Sequence, residues 1–149
     1  MSRTISIGCQ DFETIRERNY FYVDKTMFIK EWWSRGDSVT LITRPRRFGK
    51  TLAMSMTEKF FSVNYAGRGD LFEGLAIWKE DGFERLQGTR PVIALSFADV
   101  KETSFGQARK AICRIIKMVY NKFDFLLETD FLNESEKEDF RSISVNMED

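Results

Sequence analysis

The stretch Leu41-Ile42-Thr43-Arg44-Pro45-Arg46-Arg47-Phe48-Gly49-Lys50-Thr51 decides how this chain is read. It starts inside an apolar, β-branched run, Ser38 to Thr43, of the kind that forms a short buried strand. Pro45 closes that run, because it cannot donate within a sheet. Beyond it Leu52, Met56 and Phe60 recur at helical spacing, with Ala53 and Phe61 beside them. That spacing predicts a helix from Gly49 or Lys50 to about Asn64. A strand, a tight loop and a helix with Gly49-Lys50-Thr51 at the junction form the pattern of a phosphate-binding loop. Gly49 lets the backbone approach a phosphate without a side chain in the way. The amides of the first helical turn offer unpaired N–H groups and the positive end of the helix dipole. Lys50 supplies a point charge for terminal phosphates. Thr51 offers a hydroxyl to magnesium, which keeps several waters and takes few protein ligands.

The tripeptide alone is a weak signal, since average residue usage produces it in roughly one chain of this length in fifteen. Its place between a strand-like run and a patterned helix gives it weight. One departure stands out. The usual pattern has a glycine five residues before Gly49, and this chain has Arg44 there. Pro45 also lacks an N–H. The loop must therefore be shaped differently from a glycine-rich one, with Arg44, Arg46 and Arg47 adding guanidinium donors. The alternatives for these arginines are a solvated basic turn or contact with a nucleic-acid backbone. The candidate nucleotide-binding residues are Arg44, Arg46, Arg47, Phe48, Gly49, Lys50, Thr51 and Leu52, and Thr51 is the candidate metal ligand.

Outward from the loop, Ile5 to Ile7 reads as a short strand and Asp11 as the cap of a helix to about Arg18. Tyr20 to Val23 is strand-like. Asp24 is placed to cap an amphipathic helix over 25–35, with Gly36 as its C-terminal cap. Residues 65–90 give a turn of helix and a tight bend at Gly74. Pro91 opens a second apolar strand, Val92 to Phe97. Ser104 caps a long helix whose apolar stripe includes Ala108, Ile112, Ile115, Val119 and Phe123. The tail from Glu128 is acidic and has room for one more short helix. Strand, helix, strand, helix is the order of an α/β protein. The expected fold is a P-loop NTPase-like parallel sheet with flanking helices, incomplete because too few strands are supported.

Composition narrows the chemistry. The 149 residues include no histidine, which excludes His-based general bases, Ser-His nucleophile pairs and His zinc sites. The 23 basic residues balance 23 acidic ones, so global charge does not favour nucleic acid or membrane. The fourteen phenylalanines are read as core. Cys9 and Cys113 are read as free thiols of a cytoplasmic protein, in the absence of a signal region at the N-terminus or an apolar run of about 18 residues.

The chain resembles the AAA-ATPase-like family of prokaryotic proteins. The resemblance rests on Ile7-Gly8 then Asp11-Phe12, on Tyr22 to Thr26 with Phe28-Ile29 after it, on Thr40 to Thr51, on Leu71 to Leu75 and on Pro91 to Phe97. It covers most of residues 5–125, and in that family the Arg-Pro-Arg-Arg-Phe form of the loop is usual. It implies an ATP-binding module that uses ATP and Mg2+. Residues 5–37 would precede the loop, 38–127 form the P-loop core, and 128–149 an acidic tail. Family members often continue into a second ATPase half and a nuclease-like domain. The resemblance also implies that the Walker B strand, whose acidic end faces magnesium, lies downstream. Val92 to Asp99 is a poor substitute, interrupted by Ser96 and Ala98, so Asp99 is read as a turn or cap residue. In related ATPases the stretch before the loop strand contacts the base, which makes Tyr22, Val23 or Phe28 candidates to flank adenine, against ordinary core packing. Trp32 and Trp33 belong to the core or to an interface. An unfinished sheet would favour self-association or docking with a downstream half. The alternative function is a non-catalytic interaction module with a vestigial loop, contacting a protein partner or nucleic acid through its arginines.

Overall fold

The computed structural model describes residues 4–146, which divide into two units, one up to Val92 and one from Ile93.

In the first unit Asp11 caps α1 (Phe12–Glu17), accepting a 2.9 Å bond from the Thr14 amide. This is the capping role that its short polar side chain suits. Helix α2 (Met27–Arg35) ends at Gly36, whose φ of 64° is the left-handed cap glycine provides. Its N-cap is Thr26, not Asp24. Asp24 bonds the Thr26 amide and hydroxyl at 2.9 and 2.7 Å. Helix α3 (Lys50–Phe61) follows the loop, and four short 3-10 turns fill residues 63–86. The bend expected at Gly74 is there, with φ 78°. Gly88 is needed for a closer reason. Its φ is 70°, and a Cβ on it would lie 2.5 Å from the Ala66 Cα.

Aromatic side chains form the core of this unit. Phe12, Phe60, Phe72, Ile29, Met56 and Ile77 are fully buried. The Phe72 ring lies 5.1 Å from those of Phe12 and Phe60, stacked on the first and edge-on to the second. Trp33 stacks on Phe61 at 5.2 Å, and both Trp32 and Trp33 pack against the core. Such pairs add about 0.5–1.5 kcal/mol each beyond area burial.

The parallel sheet predicted from the sequence is absent. Among the described residues the β-pairing is one isolated parallel bridge, Ser62 to Arg90. The Arg90 amide donates to Phe61 O at 2.8 Å, and the Val63 amide donates to Arg90 O at 2.9 Å. None of the runs 5–7, 20–23, 38–43 and 92–97 is a strand. Val39 and Leu41, read as buried strand residues, are 87% and 83% exposed. β-Branched composition reports fitness for a pleated, half-buried surface. It does not supply the partner whose N–H and C=O groups make a ladder. The apolar face of α3 therefore packs on α1 and on the 3-10 segment, not on a sheet. The association expected from unfinished sheet edges loses that basis.

The second unit holds α4 (Phe105–Asn121) and α5 (Glu134–Asn146). Ser104 caps α4 as expected, accepting from the Gln107 amide at 3.3 Å. The two helices meet where Tyr120 and Phe140 bring their rings within 4.8 Å. The stripe of α4 is amphipathic, yet none of its residues is fully buried. Asp99 lies in a turn, closed by the Val100 amide on Phe97 O at 3.1 Å, as read from the sequence.

Candidate functional site

Gly49 is the hinge of the loop. Its φ of 78° and ψ of 24° put the residue before α3 in the left-handed region, which a side chain would strain. Arg47 also has a positive φ, 69°, without glycine's freedom. Two successive tight reversals thus bring the chain into the helix, and a short polar side chain does not cap it. The first-turn amides of α3 are left for another acceptor.

Two lysines bond carbonyls of this loop. Lys50 Nζ reaches back to bond Arg44 O and, at 2.9 Å, Pro45 O. Lys25 Nζ, from the segment before α2, donates to Phe48 O at 3.3 Å. It would lie 3.7 Å from a Cβ placed on Gly49. Around them Arg44, Arg46, Arg47 and Phe48 are exposed, as is Thr51, while Leu52 is half-buried. None of Lys25, Arg44, Arg46, Arg47 and Lys50 makes an ion pair with a described carboxylate.

Two acids of the segment before the loop, Asp11 and Asp24, are engaged elsewhere. Asp11 accepts from Lys59 Nζ at 2.8 Å and from Ser55 Oγ at 3.2 Å, both on α3. Burial pushes its carboxyl up, but the bonds from Lys59 and Thr14 outweigh that and hold it at about 2. Burial likewise pulls Lys59 down, and its interactions with Asp11 and Tyr65 together more than reverse the effect. Asp24 accepts from the Ala76 amide at 2.7 Å. Beside it the buried Thr26 hydroxyl accepts from the Ile77 amide at 3.1 Å. Burial raises the Asp24 carboxyl, and its bonds with Thr26 and Ala76 bring it below the usual range.

Two adjoining cavities meet at Gly49. The larger, about 750 Å³, is bordered by Gly8, Gln10, Arg46, Lys50 and Thr51. The smaller, about 220 Å³, is bordered by Phe21, Tyr22, Val23, Lys25, Phe48 and Ala53. Cys9, Arg47, Gly49 and Leu52 border both. The arrangement thus brings Arg46, Arg47, Phe48, Gly49, Lys50, Thr51 and Leu52 together, while Arg44 joins them through its carbonyl. Of the three residues expected to flank a base, Tyr22 and Val23 line the smaller cavity, and Phe28 packs against the core. The Tyr22 hydroxyl donates to Met56 Sδ at 3.2 Å, and burial pushes it up to about 12. Lys25 was missed by the sequence reading. It sits in the quoted Tyr22–Thr26 run, but no periodicity or spacing marks it, because its approach to Phe48 is a tertiary contact.

Comparison with known proteins fixes the family. The family model described as a predicted AAA-ATPase matches residues 6–148. The chain belongs to the AAA-ATPase-like family. The resemblance drawn on residues 5–125 therefore extends through nearly all of the chain. Over 99 residues this AAA-ATPase-like chain is 39% identical to an uncharacterised protein in the vnfD 5′ region of Azotobacter chroococcum mcd 1. That match takes in 65% of this chain and 18% of the relative's length. No solved structure matches the chain. Among the described residues of this family member, no helix is long and apolar enough to cross a membrane.

Proposed function

We propose that the loop 44–51 and the first turn of α3 bind the phosphates of ATP with magnesium, and that the chain is the ATP-binding module of an AAA-like P-loop ATPase. One observation carries this reading. Four cationic side chains, Lys25, Arg46, Arg47 and Lys50, border the cavities at the start of α3, and none has a carboxylate partner among the described residues. Lys25 and Lys50 rest on backbone carbonyls, which are neutral acceptors that an anion can replace. Gly49 lets phosphate approach the backbone, and Lys50 meets the distal phosphates. Thr51 would offer its hydroxyl to magnesium, whose remaining ligands are phosphate oxygens and water. The metal would neutralise charge between the distal phosphates. The base would enter the smaller cavity beside Tyr22 and Val23. We expect little turnover by the 149 residues alone.

Titration calorimetry with Mg-ATP tests the reading. Wild-type protein should bind, and Lys50→Ala should weaken binding at least about 100-fold, or about 2.7 kcal/mol. Equal affinity of the two proteins would reject it. One feature favours the alternative of a non-catalytic interaction module. Phe48 is 59% exposed in a loop whose three guanidiniums lack carboxylate partners among the described residues. Salt-sensitive oligonucleotide binding that survives Lys50→Ala, with no nucleotide affinity, would select that alternative.

A further inference from the structure

We infer that Lys25 binds the phosphate nearest the base, so that its charge serves nucleoside diphosphates and triphosphates alike, whereas Lys50 serves the terminal phosphate. The inference rests on the nucleotide-binding reading and goes beyond it by dividing the work between the two lysines. Lys25 and Lys50 border different cavities, and Gly49 borders both. Lys25 borders the smaller cavity, whose other walls include Phe21, Tyr22 and Val23. Lys50 and Thr51 border only the larger one. A ligand with its base in the smaller cavity must pass Lys25 before its phosphates cross Gly49 and reach Lys50.

The local bonding holds Lys25 to that place. Its neighbours on both sides are fixed. Asp24 bonds the Ala76 amide at 2.7 Å, and Thr26, fully buried, bonds the Ile77 amide at 3.1 Å. The Lys25 amide itself donates to the Tyr22 hydroxyl at 3.4 Å. With the side chains of Asp24 and Thr26 tied on both sides, Lys25 is placed where its ammonium reaches the rim of the loop. There its acceptor is the Phe48 carbonyl, 3.3 Å away. Asp24, the carboxylate closest in sequence, already accepts from Thr26 and Ala76. A phosphate oxygen would be the first full negative charge that Lys25 meets, and charge-assisted bonds are about twice as strong as neutral ones.

The test uses the full chain, with ADP and Mg-ATP affinities measured calorimetrically for wild type, Lys25→Gln, Lys25→Arg and Lys50→Ala. Lys25→Gln should weaken ADP and ATP by the same factor, about tenfold, and Lys25→Arg should restore most of both, since it keeps the charge. Lys50→Ala should weaken ATP far more than ADP. Unchanged affinities in Lys25→Gln, with ATP still lost in Lys50→Ala, would overturn the inference and leave the nucleotide reading standing. A loss confined to ATP in Lys25→Gln would also overturn it. So would a lowered melting temperature without nucleotide together with failed rescue by arginine, which would make Lys25 only a clamp on the loop. Absence of binding by the wild type would overturn the nucleotide reading, and this inference with it.

Discussion

The two ends of α3 treat charge in opposite ways. Near its C-terminal end Lys59 is 4% exposed and is met by Asp11, 2.8 Å away. At its N-terminal end Lys50 is only partly buried and is met by two backbone carbonyls. The glycines differ in the same sense. Gly88 is packed against Ala66, while Gly49, also left-handed, has only the tip of Lys25 nearby. Burial enforces pairing, because an unpaired buried ion costs several kcal/mol. Partial exposure removes that demand, so cations without carboxylate partners can collect at the loop. The scaffold end of α3 pairs its charge, and the loop end leaves its cations on neutral carbonyls.

Substitutions at the matched positions test this contrast on stability. The largest loss is expected at Gly88→Ala, about 3 kcal/mol, from left-handed strain and a backbone clash together. Urea unfolding of that variant measures it, and a loss under about 1 kcal/mol would remove the packed end from the comparison.

Asp11→Ala comes next, at about 2 kcal/mol. That is less than the 3–5 of a fully buried pair, because the Asp11 side chain is 44% exposed and screened by water. Its pH dependence has a definite sign. The folded-state pKa is about 2, below the ordinary carboxyl value of 3.8. The stabilisation is therefore complete above pH 3.8 and fades as pH falls through about 2. The stability gap between wild type and variant should narrow over that window. A gap that stays constant from neutral pH to pH 2 would show that the carboxylate charge is not what holds Lys59.

At the loop the same measurements should move little. Gly49→Ala should cost about 1 kcal/mol, from φ strain without a clash. Lys50→Ala should stay within about 0.5 kcal/mol, the range of surface substitutions. A thermal or urea transition shifted as far by Lys50→Ala as by Asp11→Ala would erase the contrast.

The sequence made the helices legible where their signals are local. Asp11, Ser104, Gly36 and the Leu52-Met56-Phe60 spacing each act within a few residues, and α1, α2, α3 and α4 lie close to where these mark them. The loop residues were legible for the same reason, since Gly49-Lys50-Thr51 is contiguous. The sheet was misread because a strand depends on a distant partner. Residues 38–43 carry the composition of a strand and lack any pairing. Lys25 escaped for a related reason. Its placement depends on Phe48, 23 residues away, and on the bonds from Ala76 and Ile77 to Asp24 and Thr26.

Those bonds make the amides of Ala76 and Ile77 a remote gauge of the loop. Both N–H groups are held by side-chain oxygens of the segment that carries Lys25. Any motion that draws Asp24 and Thr26 away frees these two protons to solvent, and any ligand that steadies Lys25 slows their release. Their hydrogen–deuterium exchange would then track events at Gly49, although neither residue touches the cavities.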